Sequence, residues 1–241
     1  MSLVRLHVEH PLGEGQIVPL DPAQAHYLFG VMRLGMGAEV ELFNGRDGAW
    51  RAQVAEAGKK RGLLACRTQA GLQQDPPDLW LLFAPLKKAR TDFVVEKATE
   101  LGARRICPVQ TEFTNAERIR RDRLQATAVE AAEQCGGTFV PEVTELVRLD
   151  RLLADWPEGR ALLVADEALA GTGKAAPAGR LPRAPAAMLI GPEGGFSEAE
   201  RARFDARPNV ARLRLGQRIL RAETAAVAAL TLWQADAGDW G

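Results

Sequence analysis

The rhythm of apolar and polar positions changes once along the chain. From Val4 to about Gln69 apolar residues come in short runs broken by polar ones, as in Glu39–Phe43 (EVELF), residues 49–55 (AWRAQVA) and residues 63–67 (LLACR). Short alternating runs between turn residues predict half-buried strands. Asn44-Gly45 predicts a hairpin turn, lengthened by Arg46-Asp47-Gly48. Asp21 followed by Pro22 predicts a short helix over residues 21–28, with Asp21 as its cap. Residues 1–74 therefore read as a small β-barrel. The stretch QQDPPD at residues 73–78 closes it, because two prolines after polar residues continue neither a helix nor a central strand.

Residues 78–241 alternate between strand and helix patterns. Strands are expected at residues 79–84 (LWLLFA), 105–109, 141–147, 161–165 (ALLVA), 187–190 and 210–215. The continuous apolar runs are what a sheet covered on both faces requires. Helices are expected at residues 92–101, 120–134, 150–156 and 223–234. In the first of these Phe93, Val94, Lys97, Ala98 and Leu101 share one face, and Gly102 stops it. Ser197 and Glu200 form a capping box that opens another. Residues 169–185, rich in Ala, Gly and Pro, predict a mobile loop. Such alternation specifies an α/β domain with a mainly parallel sheet, whose ligands bind beyond the carboxyl ends of the strands.

Composition narrows the function. The 241 residues are 46% hydrophobic and 26% charged, a globular balance, and Lys+Arg and Asp+Glu both total 31. A net basic charge that binds nucleic acid unaided is absent. Arg outnumbers Lys 25 to 6, and 40 alanines point to a GC-rich genome as the cause. Cys66, Cys107 and Cys135 are widely spaced, and only His7, His10 and His26 accompany them, so no metal site is expected. Unpaired cysteines suit a reducing cytoplasm. No apolar run is long enough for a membrane span, and the first residues lack a signal-peptide pattern. The only serines, Ser2 and Ser197, lie outside a nucleophile elbow, which excludes a serine hydrolase. Residues 170–175 (AGTGKA) resemble a P-loop, but Ala168 and Ala175 replace its Gly and Ser/Thr, so nucleoside triphosphate binding is rejected.

Two turns remain as candidate sites. IGPEGGF at residues 190–196 follows a strand; it serves equally as a tight strand-to-helix turn or as bare backbone that a ligand approaches. LGQRILRAET at residues 215–224 places two arginines, a carboxylate and a hydroxyl between a strand and an apolar helix. Polar clusters in apolar surroundings more often mark sites, the alternative being a structural pair of Glu223 with Arg218 or Arg221. Residues 201–221 hold seven arginines against Asp205. Arg118, Arg120, Arg121 and Arg123 form a second cluster, and Lys59-Lys60-Arg61 a third. Each alone reads as a solvated face; together they suit a phosphate-rich partner.

These two turns, with residues 97–109 (KATELGARRICPV), 130–137 (EAAEQCGG) and 26–45 (HYLFGVMRLGMGAEVELFNG), resemble five segments of the bacterial small-subunit ribosomal RNA uridine-N3 methyltransferases, members of the SPOUT superfamily, in the same order and over nearly the whole chain. The resemblance implies a PUA-like amino-terminal barrel that helps hold RNA. It further implies a SPOUT-type α/β domain with a deep trefoil knot, a homodimer, S-adenosyl-L-methionine as donor and 16S rRNA as substrate. By position, the donor pocket would be lined by the turn with Asp166 and Glu167, by Gly191, Pro192, Glu193, Gly194 and Gly195, and by Leu215, Gly216, Ile219, Leu220 and Thr224. Gly191, Gly194 and Gly195 would allow close approach of the donor. Gln217, Ala222, Phe113 and Gly137 depart from the family pattern, the last two removing cations expected near RNA phosphate.

The same resemblance sets an expected chemistry. Uridine N3 attacks only after losing its proton, and charge then develops on O2 and O4. An Arg fork, Arg218 or Arg221, would stabilise that charge, with Glu223 orienting it or taking the proton. Rival readings are a methyltransferase of tRNA or large-subunit RNA, a non-catalytic RNA-binding assembly protein, and a small-molecule enzyme.

Overall fold

The computed structural model of the chain describes residues 3–171 and 181–240. It divides into two compact units, Met1–Asp75 with Ala132–Val140, and Pro76–Ala131 with Pro141–Gly241. Most of the P-loop-like stretch and of the expected mobile loop falls at residues 172–180, outside the described residues.

The first unit contains strands β1 (Val4–His7) and β2 (Ile17–Leu20), helix α1 (Pro22–Ala25) running into a π-helical turn (His26–Val31), and strands β3 (Glu39–Phe43), β4 (Ala49–Ala57) and β5 (Gly62–Gly71). They form one sheet in the order β1-β3-β4-β5-β2, antiparallel except for β1 with β3. Alternate residues of all five strands, among them Leu6, Val18, Leu42, Val54 and Leu64, share one apolar core. The sheet must therefore curl around a single centre. Asp21 caps α1 through a full capping box, its side chain accepting from Gln24 N. The β3–β4 turn is held by the Asn44 side chain, which accepts from the amides of Arg46 and Asp47.

In the second unit the chain runs through β6 (Leu79–Phe83), α2 (Lys88–Glu100), β7 (Arg105–Gln110), α3 (Arg121–Cys135), β8 (Glu142–Val143), β9 (Val147–Arg148) and α4 (Leu149–Ala154). It continues through β10 (Ala161–Ala165), β11 (Ala186–Ile190), α5 (Glu198–Asp205), β12 (Val210–Leu213) and α6 (Ala222–Ala237). The last turn of α3 belongs to the first unit. The sheet order is β12-β10-β11-β6-β7-β8, with β9 also on β7, and all pairs are parallel. Every residue of β11 is buried, as a central strand covered on both faces demands. Helix α6 packs on α2 and β11, and its fully buried Gln234 donates to the carbonyl of Leu101 at the end of α2. That contact satisfies a helix-terminal carbonyl that would otherwise be buried without a donor.

Three expectations are corrected. The single strand over residues 141–147 is two short strands, because the chain leaves the β7 ladder after Thr144, whose amide still reaches Ile106 O. Helix α2 begins four residues early, at an N-cap, Lys87, that makes no side-chain capping bond and so leaves no signal. Its buried stripe is Thr91, Val94, Val95, Ala98 and Thr99; Phe93 is exposed, with the Lys97 ammonium 5.6 Å from its ring centroid.

Candidate active site

Strands β12, β10 and β11 are neighbours, and all three end on the same side of the sheet. The turns that follow them enclose a cavity of about 230 Å³. The β10 turn contributes Ala165, Asp166 and Glu167; the β11 turn contributes Gly191, Pro192 and Glu193. The stretch between β12 and α6 contributes Leu215, Gly216, Arg218, Ile219, Leu220 and Arg221. Residues far apart in sequence thus converge where a parallel sheet binds its ligands.

Asp166 anchors this wall. Its side chain is fully buried yet accepts from Ala168 N at 3.0 Å, Arg201 Nε at 3.2 Å and Arg212 Nε at 2.8 Å. Arg201 also reaches Glu167 Oε1 at 2.6 Å, and Arg212 reaches Asp205. Burying a carboxylate is tolerable only with such a set of donors. Two of the seven arginines in residues 201–221 are therefore braces of the cavity wall rather than part of a solvated face.

The glycines of the β11 turn divide by role. Gly191 lies on the cavity, and a Cβ there would stand 3.0 Å from the Phe196 ring. Gly194 and Gly195 are not on the lining. A Cβ on Gly194 would meet Phe113 at 3.2 Å. Gly195, at φ +71°, closes a turn onto Pro192 O, and a Cβ there would overlap the Glu167 carboxylate. All three make room for the protein's own side chains. Gly216 differs: it is at φ +108°, lines the cavity, and among the described residues has no atom within 4 Å of its Cβ position.

Arg218 and Arg221 both line the cavity and are exposed, and Ile219 at its edge is 74% exposed. Glu223 and Thr224 lie outside the lining, in the first turn of α6. Among the described residues Glu223 pairs with neither Arg218 nor Arg221. Its partner is Arg90, whose Nε lies 3.5 Å from Glu223 Oε1 and whose Nη1 lies 3.3 Å from Glu193 Oε1. Among the described residues the buried Glu223 Oε2 has no hydrogen-bond partner. Sequence reasoning missed Arg90, Arg201 and Arg212 as parts of this site. Arg90 sits in an uncapped first turn of α2; Arg201 follows the capping box by one residue. Among the described residues no group of His, Cys, Asp or Glu side chains could hold a metal ion, and no helix is long and apolar enough to cross a membrane.

An α/β unit with a cavity at the carboxyl ends of its strands, flanked by exposed guanidinium groups, has the architecture of a ligand-binding α/β protein. Residues 73–234 match the model of an RNA methyltransferase domain, and residues 20–64 that of an RNA methyltransferase PUA domain. The chain belongs to this RNA methyltransferase family. It is similar to the ribosomal RNA small subunit methyltransferase E of Synechocystis, 31% identical over 88% of this chain and 71% of that one. The protein of the same name from Rickettsia conorii is 27% identical over 95% and 94%. Among solved structures, the ribosomal RNA small subunit methyltransferase E of Neisseria gonorrhoeae bound to S-adenosyl methionine matches with a TM-score of 0.87 and 27% identity over the full length of both chains. A putative methyltransferase of Legionella pneumophila with bound S-adenosylmethionine matches with a TM-score of 0.85 and 28% identity, over 99% of this chain and all of that one.

Proposed function

We propose that the protein transfers a methyl group from S-adenosyl-L-methionine to N3 of a uridine in the 16S rRNA of the small ribosomal subunit. The observation that carries this reading is the cavity beyond β10, β11 and β12, in a chain that shares its whole fold with two proteins solved with this donor bound. The lining suits the donor. Leu215, Ile219 and Leu220 offer apolar surface for an adenine ring, and among the described residues the open space at Gly216 admits close approach. When bound, the donor supplies an electrophilic methyl carbon.

The chain's own part is to position the nucleophile and stabilise the negative charge it acquires on losing its proton. A uridine must turn out of its stack to reach a cavity at a sheet end. Arg218 and Arg221 stand at that cavity and can donate to uracil O2 and O4 as N3 gives up its proton to solvent, so that the N3 lone pair is free to form the new N–C bond. Glu223, half-buried and held by Arg90 beside Glu193, acts as a positioning residue of the α6 first turn. The five-stranded unit would bind RNA outside the target nucleotide. The working form is taken to be a homodimer, in which a second copy would cover apolar surface such as Leu232 and Trp240, each about half exposed. The resemblance to the SPOUT superfamily supports a trefoil knot in the α/β unit as part of the same reading.

Mass spectrometry of 16S rRNA from cells with and without the gene tests the reading. A methyl-uridine missing only without the gene supports it. An unchanged 16S rRNA, with a methyl group missing from tRNA or 23S rRNA, moves the substrate; no change in any RNA, with no heat on adding the donor, overturns the activity.

A further inference from the structure

A second cavity, of about 310 Å³, lies in the same unit beyond the end of β6. We propose that it is a phosphodiester-binding site for the RNA strand adjoining the target nucleotide. This rests on the reading that the substrate is RNA. Its apolar lining includes Leu86 and Ile119, and its charged lining is Lys88, Arg118, Arg120 and Arg123 against a single carboxylate, Asp92. Asp92 is engaged by Arg123. Among the described residues no carboxylate pairs with Lys88, Arg118 or Arg120. A solvated face spreads its cations over convex surface. These three line a hollow, where like charges repel more strongly and an anion between them is correspondingly favoured.

The placement points to the polynucleotide rather than to the methyl donor. The two cavities share no lining residue. They lie at the same end of one parallel sheet, beyond the adjacent strands β11 and β6. The first turns of α2 reach both: Lys88, Thr91 and Asp92 line this cavity, while Arg90 bonds Glu193 on the wall of the other. An RNA strand that presents a base to the donor cavity carries its neighbouring phosphates past this one. Arg118, Arg120 and Arg123, whose cluster read alone as a solvated face and with the other basic clusters as suited to a phosphate-rich partner, become part of a built hollow through the return of the chain from β7 to α3.

The test is the salt dependence of binding to purified small subunits by filter retention, with donor affinity measured by calorimetry on the same preparations. For an Arg118→Glu, Arg120→Glu variant we expect weaker subunit binding and a plot of log affinity against log salt that is shallower by about two, because two phosphate contacts are lost. Donor affinity should be unchanged, the subunit KM raised, and the Arg118→Lys, Arg120→Lys variant should restore the slope. If the double variant does not fold, Arg118→Gln and Arg120→Gln singly should each flatten the slope by about one. A native slope in folded charge-reversed protein overturns the proposal. So does inorganic phosphate binding that the variant loses while its RNA slope stays native, which would assign the hollow to a free anion. Failure of the native protein to bind donor or subunits would instead overturn the functional reading, and this proposal with it.

Discussion

Arg212 Nη2 lies 2.8 Å from Asp166 Oδ2, and the carboxylate it holds has no exposure to solvent. Arg201 shares that carboxylate from the other side. Removing one cation leaves a buried charge half-compensated. Arg212→Ala should therefore cost about 3 kcal/mol and lower the melting temperature by about 6–12 °C. Because Asp166 lines the donor cavity, the same variant should bind S-adenosyl-L-methionine more weakly. Thermal melting by circular dichroism and donor titration check both outcomes; a native melting temperature would mean that Arg201 alone suffices.

Gly195 and Gly216 separate two uses of glycine. At Gly195 a methyl group would both adopt φ +71° and displace Glu167 from its place beside Arg201. Gly195→Ala should destabilise by about 2 kcal/mol or more, from backbone strain and the lost ion pair. At Gly216 only the backbone resists, since the space beyond is open. Gly216→Ala should cost about 1 kcal/mol of stability and show itself chiefly as weaker donor binding. Reversal of that order in denaturant titrations would refute the assignment.

Strands β3 and β10, the Asp21 cap and the Ser197–Glu200 capping box were legible in the sequence because each is set by residues close together in the chain. The convergence of Gly191, Pro192, Glu193, Leu215, Gly216, Leu220, Arg218 and Arg221 on one cavity was also foreseen, through the resemblance and the rule for parallel sheets. What stayed hidden depends on contacts made only by folding. Arg212 and Asp166 are 46 residues apart, and neither sits in a pattern that names the other. The same holds for Arg90 and Glu223. The glycines of IGPEGGF carry no mark that tells a ligand's approach from that of Phe113 or Glu167. Phe93 was placed inside because the expected stripe carries more apolar residues (Phe93, Val94, Ala98 and Leu101) than the true one, whose threonines Thr91 and Thr99 are buried.

Arg218 and Arg221 are exposed at the cavity, so their removal should leave the fold intact. Arg218→Ala is expected to lower kcat by about 10²–10³-fold, the usual loss when one donor to a developing oxyanion is removed. Donor affinity and melting temperature should stay native. Arg221→Ala, one residue before α6, should show a smaller loss if it steers RNA and an equal one if it shares the uracil charge. Methyl transfer to purified small subunits with radiolabelled donor measures both. Full activity in Arg218→Ala would remove it from the chemistry.

Arg90 ties Glu193 on the cavity wall to Glu223 on α6. Arg90→Ala should destabilise the protein by about 1 kcal/mol, since the guanidinium is part-exposed and solvent screens the pair. It should also leave the buried Glu223 Oε2, already without a hydrogen-bond partner, on a carboxylate without its cation. Glu223→Gln in that background should recover part of the loss. A double-mutant cycle giving a coupling of about 0.5–1 kcal/mol is the expected result; a coupling near zero would show that the two side chains act independently.

Cys107, on β7, gives the fold a signature at high pH. Burial pushes its thiol from 9.0 up to about 11, so the folded protein keeps a proton that the unfolded chain releases. Unfolding then sheds protons, and stability falls as pH rises through the window from about 9 to about 11. Below that window the full contribution is present; above it about 2–3 kcal/mol is lost. Cys66, also buried and shifted upward, adds to the same slope. Cys107→Ala should flatten this alkaline dependence in urea titrations. At pH 8 a disulfide reagent should label Cys135, the exposed thiol, quickly and Cys107 only on unfolding. Rapid labelling of Cys107 in the native protein would show that β7 opens to solvent, contrary to the closed sheet in which the strand is held between β6 and β8.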